Sequence, residues 1–293
     1  MKGNICKVYT GNLSFPPRFI FGCGGAPEQE ETRTHPSQWS EWTSSQQRID
    51  GLVASTGFPR DDVIKLYAQK LSVGFEKHFK TDLDLLHKKR FGARRFGVDW
   101  AVAEPKPGDF NHRYLARLGE MIDEMLLRGI EPILTWFHWG MPLWLALEGG
   151  WENPKTPEYF RRFVRAVMLD SVGPRVRYHT VLNEPAVVYA PFSYEYGLHP
   201  PHKRDPKLCT RVLEHLAQGH QLAYREIKKI DPEAMVGIAH SATWTVFSDP
   251  KRQAAEEETY YRFIDRIMPH LDFIGLNNYM VHGDRDGVEC QAW

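Results

Sequence analysis

The feature that most constrains the fold of this chain is a sixfold alternation of short apolar runs with amphipathic segments. The amphipathic segments carry apolar side chains at helical spacing, as Phe75, Phe79 and Leu83 do. Strand and helix in repeated alternation are typical of a parallel sheet with crossover helices. The sequence therefore predicts an α/β protein whose strands lie in the apolar runs. These runs are residues 19–25, 93–100, 131–139, 176–182, 234–239 and 272–279.

Two architectures fit this alternation, an open doubly wound sheet and a (β/α)8 barrel. The turn GCGGAP after the first run lacks the GxGxxG spacing of a dinucleotide-binding unit. Polar and aromatic side chains follow strands along the whole chain, which favours the barrel. Residues 26–70 are polar and show no clear periodicity, so we expect a long, functional loop there.

Charge and cysteine content exclude several kinds of partner and site. Lys plus Arg and Asp plus Glu both number 37, so the net charge of zero predicts no nucleic-acid partner and no anionic membrane partner. No apolar run approaches the ~20 residues that span a bilayer, and the first residues lack the apolar core of a secretory signal. The cysteines form no CxxC pair and no zinc-type cluster, so we expect a cytoplasmic protein with reduced thiols, no metal and no cofactor. They are Cys6, Cys23, Cys209 and Cys290.

Polar and aromatic residues collect where the predicted strands end. In a parallel sheet these ends meet at one mouth, so the side chains are expected to converge. The set lacks metal-ligand spacing, a GxSxG elbow and a phosphate-binding loop. Neutral hydrogen-bonding groups beside aromatic faces suit a sugar. The residues concerned are Gln29, Arg95, Trp100, His138, Trp139, Asn183, Glu184, Asn277 and Tyr279.

The stretch TVLNEP, residues 180–185, places a carboxyl group at the end of the fourth strand. Pro185 disfavours helical backbone at Glu184 and ends the strand, so we expect the glutamate to be held in extended backbone at the mouth. Burial beside aromatic side chains disfavours the charged form of a carboxyl group, which suits a general acid that works near neutral pH. Asn183 is expected to hydrogen-bond a sugar hydroxyl.

TVLNEP resembles the acid/base motif of glycoside hydrolase family 1, the retaining β-glucosidases and β-galactosidases. Four further segments resemble motifs of that family in the same order, so the resemblance covers roughly residues 19–280. They are FIFGCGGAPEQEE, RRFGVDWAVAEPKPGDFN, ILTWFHWGMPLWLALEGGWENP and DFIGLNNY.

The resemblance implies a (β/α)8 TIM-barrel fold and hydrolysis of O-glycosyl bonds in β-glucosides or related β-glycosides. In this retaining mechanism one carboxyl acts as acid and then base, and a second, ~5–5.5 Å away, acts as nucleophile. Glu184 corresponds to the acid/base residue. Residues expected to bind the substrate sugar are Gln29, His138, Asn183 and Trp139, and those expected around the nucleophile are Arg95, Asn277 and Tyr279. Strand alternation puts Arg94 and Arg95 on opposite faces, and the motif register selects Arg95.

The family's nucleophile motif, a TENG-like stretch on a seventh strand, has no counterpart in this sequence. Glu289 comes too soon after the sixth strand to take that role. We therefore expect residues 1–293 to form one barrel domain truncated after the sixth strand, with open sheet edges. The chain is then a fragment of a longer product, a piece completed by a second chain, or a barrel closed by dimerisation. A second reading of its function is a catalytically inactive carbohydrate-binding barrel fragment.

Overall fold

The computed structural model describes residues 14–31, 35–65, 73–242, 244–246, 249–278 and 281–283. Its centre is a six-stranded parallel sheet, and all six predicted strands form and pair in chain order. Two further short strands, which the sequence reasoning did not predict, pair with each other in parallel. The strands are β1 (Gly22–Gly24), β2 (Ala93–Gly97), β3 (Glu131–Phe137), β4 (Tyr178–Asn183), β5 (Met235–Ser241), β6 (Trp244–Val246), β7 (Phe273–Asn277) and β8 (Val281–Gly283).

Helices connect the strands and pack on the outer face of the sheet. The predicted amphipathic helices are present, and caps fix their ends: Asn111 accepts the Tyr114 backbone N–H, and Gly129 follows α7 at a φ of 67°. Among the described residues, no helix is both long enough and apolar enough to cross a bilayer. The helices are α1 (Pro27–Glu30), α2 (Gln38–Thr43), α3 (Gln46–Thr56), α4 (Arg60–Val63), α5 (Phe75–Lys88), α6 (Trp100–Ala103), α7 (His112–Leu127), α8 (Leu143–Leu147), α9 (Thr156–Val167), α10 (Pro206–Ile230) and α11 (Pro250–Ile267).

The segment expected to be an irregular loop, residues 26–70, instead carries helices α1 to α4 within its described part. Serine caps account for two of these helices, α2 and α3. Ser37 accepts the Ser40 backbone N–H at the start of α2, and Ser45 accepts that of Arg48 at the start of α3. These caps hold short helices that hydrophobic periodicity alone does not reveal.

Aromatic side chains fill the space between the sheet and α9. The ring of Phe163 stacks on Trp100 at 4.9 Å between centroids and meets the edge of Trp136 at 6.0 Å. All three side chains are fully buried, and burial of each such ring stabilises the fold by roughly 1.5–3 kcal/mol. This layer packs β3 and the short helix α6, which follows β2, against α9.

The outer strands of the sheet, β1 and β7, leave apolar side chains exposed. Ile274 and Leu276 on β7 are 41% and 67% exposed, and Ile20 and Phe21 beside β1 are 56% and 51% exposed. Within the described residues each outer strand has a neighbour on one side only. The sheet is therefore open at both edges, over surfaces that are apolar.

The contact between β5 and β7 depends on Gly237. A Cβ atom at this position would lie 2.2 Å from the Phe273 carbonyl oxygen. We expect Gly237→Ala to force the two strands apart and to lower the free energy of unfolding by ~1–3 kcal/mol in urea denaturation. Gly51→Ala is the control, because a Cβ there meets no atom within 4 Å. Equal stability of the two variants would contradict the expected role of Gly237.

Candidate functional site

Glu184 lies directly after β4, and its side chain is buried, with the residue 3% exposed. The expectation of extended backbone is wrong, because Glu184 is left-handed, with φ 47° and ψ 49°. Hydrogen bonds on both sides hold this conformation: the Glu184 N–H donates to the Ala239 carbonyl at 2.7 Å, and the Glu184 carbonyl accepts from Tyr189 at 2.9 Å. Left-handed backbone at a non-glycine residue costs of order 1–3 kcal/mol and is concentrated at functional sites.

The carboxyl group of Glu184 has a partner from the outer strand β7. Asn277 Nδ2 donates to Glu184 Oε1 at 2.6 Å. The same nitrogen lies 3.3 Å from Asn183 Oδ1. The last residue of β7 therefore orients the carboxyl group that follows β4.

Asn183 hydrogen-bonds to side chains from the ends of neighbouring strands. Its Oδ1 accepts from Arg95 Nη2 at 2.6 Å, and its Nδ2 lies 3.0 Å from His138 Nε2. Thr135 in turn accepts from Arg95 Nε at 2.9 Å. We call the side chains of Arg95, Thr135, His138, Asn183, Glu184 and Asn277 the strand-end cluster.

The hydrogen bonds of Asn183 define the protonation of His138. Because Asn183 Oδ1 already accepts from Arg95 and Asn277, Nδ2 is the atom that faces His138, and it donates to Nε2. Burial, with the positive charge of Arg95, lowers the pKa of His138 to about 3. The imidazole is therefore neutral at neutral pH, with its proton on Nδ1. This nitrogen is buried and has no hydrogen-bond partner among the described residues, so it is a donor available to a ligand.

The two tryptophans predicted at the strand ends have different positions. Trp139 is half-buried, has φ 74°, and donates from Nε1 to the Asn183 carbonyl at 2.9 Å. Trp100 is 1% exposed, stacks in the core on Phe163, and donates to Glu104 at 2.9 Å. Trp139 thus borders the strand-end cluster, whereas Trp100 packs in the core and lines a small cavity beside His138.

Gln29 is exposed on α1, and no hydrogen bond joins it to the cluster. Its neighbour Glu28 instead lines a small cavity together with His138 and Gly140. Sequence reasoning missed Glu28. Pro27 is the signal that could have revealed it, because proline is common at the first position of a helix. In a helix, Glu28 and Gln29 point to different faces, so both had to be considered as site residues. Tyr279 lies outside the described residues.

The strand-end cluster brings together one carboxyl group, one neutral imidazole donor, an amide and a guanidinium at the carboxyl ends of the parallel strands. A buried carboxyl can exchange a proton with a bound oxygen atom, and the imidazole and amide can hydrogen-bond hydroxyl groups. A second carboxyl is not a member of this cluster. The arrangement is therefore suited to proton transfer on a hydroxylated ligand.

The family model of glycosyl hydrolase family 1 matches residues 14–281. The chain belongs to glycosyl hydrolase family 1. β-Glucosidase A of Thermotoga maritima is 30% identical over 207 residues, which cover 70% of this chain and 45% of that protein. A β-glucosidase of Agrobacterium sp. is 27% identical over 252 residues, covering 83% of this chain and 51% of the relative. The chain thus spans about half the length of these curated relatives.

The solved structure of the family 1 β-glucosidase from Thermotoga maritima superposes with a TM-score of 0.76 at 24% identity. It covers 92% of this chain and 66% of that one. A complex of the same enzyme with a methoxycarbonyl-substituted glucoimidazole gives a TM-score of 0.78. The predicted α/β fold of the (β/α)8 barrel type is confirmed, with six parallel strands present.

Thr135 is expected to act as a positioning residue, through Arg95, on the amide of Asn183. Thr135→Val keeps the shape of the side chain but removes the acceptor of a charged donor, an interaction worth ~1.5–3 kcal/mol. We expect the ¹⁵N signals of the His138 ring to shift, because the Asn183 amide is no longer fixed. Thr156→Val, which removes a buried hydroxyl bonded to the Gly150 carbonyl, is the control and should leave these signals unchanged. Unchanged His138 signals in both variants would contradict the positioning role.

Buried histidines make stability depend on pH. Burial lowers the pKa of His138 to about 3 and those of His179 and His220 to about 4. The unfolded chain, with histidine pKa values of ~6.5, binds more protons, so the free energy of unfolding is expected to fall as pH drops below about 6.5. In urea denaturation at several pH values, the free energy of unfolding of His138→Gln should fall less steeply with decreasing pH than that of the parent chain. His78→Gln, at an exposed side chain, should retain the full pH dependence of stability. An identical pH dependence in both variants would refute the role of His138.

Proposed function

We propose that this chain takes part in retaining hydrolysis of O-glycosyl bonds in β-glucosides or related β-glycosides, with Glu184 as acid and then base. The observation that carries the proposal is the buried Glu184 carboxyl, held by Asn277 at 2.6 Å within a cluster of sugar-type donors and acceptors. Membership of family 1 supports it. No metal or cofactor has a role in the proposal.

In the first step Glu184 donates its proton to the glycosidic oxygen as the bond to the anomeric carbon breaks. A second carboxyl attacks that carbon, and Glu184 later takes a proton from the water that releases the sugar. We assign this nucleophile to a segment or a second chain that adjoins β7. Arg95, Asn277 and Tyr279 are proposed to surround it and to favour its ionised form.

The sugar is proposed to contact His138, Asn183, Trp139 and Gln29. His138 supports this best, because its Nδ1–H is a buried donor without a partner among the described residues. Gln29 is a proposed contact whose side chain is exposed in this structure. Glu28, which already borders the cavity beside His138, is an additional candidate contact.

A complementing chain or a second copy is proposed to cover the sheet edges. The exposed apolar side chains of β7 and of residues beside β1 support this partner, because open apolar edges favour association. The net charge of zero gives nucleic acid and anionic membranes no electrostatic attraction. We propose a cytoplasmic location, in which Cys23 and Cys209 remain thiols.

A second candidate function is carbohydrate binding without turnover. The observation in its favour is that the strand-end cluster contains one carboxyl group rather than the pair that the retaining mechanism needs. In that case the donors of His138 and Asn183 would hold a sugar that Glu184 cannot cleave alone.

Hydrolysis of an aryl β-glucoside distinguishes the two functions. We expect Glu184→Gln to lower the rate ~10²–10⁴-fold, because it removes the general acid. Glu148→Gln, at an exposed glutamate, is the matched control and should keep the rate of the parent chain. No turnover with retained binding of methyl β-glucoside in calorimetry would support the binding function. Loss of neither activity nor binding in Glu184→Gln would refute both roles of this residue.

A further inference from the structure

A second cavity, of about 190 Å³, opens at the surface beside the N-terminal part of α3. Residues of α2, α3 and the turn at residues 197–202 form its wall. Pockets for drug-sized ligands measure ~300–1,000 Å³, so this cavity suits a single ring. Its lining includes Trp42, Gln47, Arg48, Gly51, Gly197 and His202.

Aromatic rings connect this cavity with the strand-end cluster. Trp139, which donates to the Asn183 carbonyl, lies 5.9 Å from Trp39, and Trp39 lies 4.9 Å from Trp42. His199 contacts all three, with centroid distances of 5.6, 5.2 and 6.0 Å. Trp39 and Trp42 are both half-buried and belong to one row of contacting rings.

The cavity has a positive character. The Arg48 guanidinium lies 4.7 Å above the Trp42 ring, and no carboxylate of the described residues pairs with it within 4 Å. Asp50, its neighbour two positions on, pairs instead with Arg60 at 2.5 Å. None of the residues that line the cavity is acidic. Burial, with added positive charge from Arg48 and His202, lowers the pKa of the adjacent His199 to about 4.

His202 adds a second oriented group. Its Nδ1 lies 3.0 Å from the Gly197 carbonyl, which can only accept, so Nδ1 carries a proton and Nε2 is left for a ligand. With only Nδ1 protonated, Nε2 of His202 is an acceptor, so Arg48 and the Gln47 amide are the donors beside the Trp42 ring. Such a set matches a planar anion attached to a ring.

We propose that this cavity binds a ring that bears a carboxylate group. The planar guanidinium of Arg48, which Trp42 holds in place beneath it, matches a carboxylate in a bidentate pair. Two sources share this chemistry, a uronic acid and an aromatic acid. The connection through Trp39 and Trp139 makes the ring the outer end of an extended β-glycoside, a step that rests on the proposed function.

Calorimetry with matched acidic and neutral probes tests the proposal on the full chain. Methyl β-glucuronide is compared with methyl β-glucoside, and benzoate with benzyl alcohol. We expect the acidic member of at least one pair to bind about ten-fold more tightly or better, as a charge-assisted bidentate pair provides. The pair that shows the preference identifies the source. Equal affinities within both pairs, or no binding of either acid, would overturn the proposal.

Substitutions locate the binding. Arg48→Met keeps the contact with Trp42 but removes the charge, and should abolish the preference for the acidic probe. Gln47→Glu, which places a negative charge in the cavity without altering Arg48, should also weaken binding of the acid. Arg113→Met, at an exposed arginine of α7, is the control and should retain the preference. A preference that persists in Arg48→Met would contradict the assignment.

The proposed hydrolysis and this binding site fail separately. Glu184→Gln removes the general acid but does not touch the cavity, so acid binding should persist in that variant even where turnover is lost. If the parent chain shows no turnover but still binds the acidic probe through Arg48, the result contradicts the proposed hydrolysis and leaves the proposed binding site intact. If the parent chain hydrolyses the aryl β-glucoside but shows no preference for acidic probes, the result contradicts the proposed binding site and leaves the proposed hydrolysis intact.

Discussion

The structure at the strand ends depends on one amide group, that of Asn183. Its oxygen accepts from Arg95 and Asn277, its nitrogen donates to His138, and its backbone carbonyl accepts from Trp139. Strand β2, the segment after β3 and strand β7 thus all hydrogen-bond to the residue that ends β4. Because the donors and the acceptor are complementary, the amide has one orientation, and that orientation sets which nitrogen of His138 carries the proton. A buried network of this kind is rigid only when every member is satisfied, so loss of one partner affects the others.

Parallel pairing explains how residues so distant in sequence meet. Each strand contributes its carboxyl end to the same edge, and aromatic packing holds β3 and α6, which follows β2, against α9. The least supported contributor is β7, which is an outer strand held on one side by β5. The close approach that Gly237 permits therefore matters beyond stability, because Asn277 at the end of β7 orients the Glu184 carboxyl.

Much of the fold could be predicted from the sequence, because apolar periodicity reports burial directly, and the six parallel strands have the order that alternation with helices requires. Two features of the candidate site could not. The backbone of Glu184 follows from hydrogen bonds to Ala239 and Tyr189, which proline preferences do not encode. The exposure of Gln29 follows from the short helix α1, whose rotation turns Glu28 rather than Gln29 toward the cavity beside His138. Local turn geometry and long-range hydrogen bonds decided both positions.

The exposed apolar side chains and the amide that orients the buried Glu184 carboxyl belong to the same strand, β7, and this links assembly to chemistry. Along β7 the side chains alternate, so Leu276 is 67% exposed while the next residue, Asn277, reaches Glu184. A partner that buries Leu276 and Ile274 would gain hydrophobic free energy, roughly 25 cal/mol for each Å² of apolar surface removed from water. It would also restrain the backbone of Asn277. Covering the edge therefore orders the hydrogen bond that orients the proposed acid.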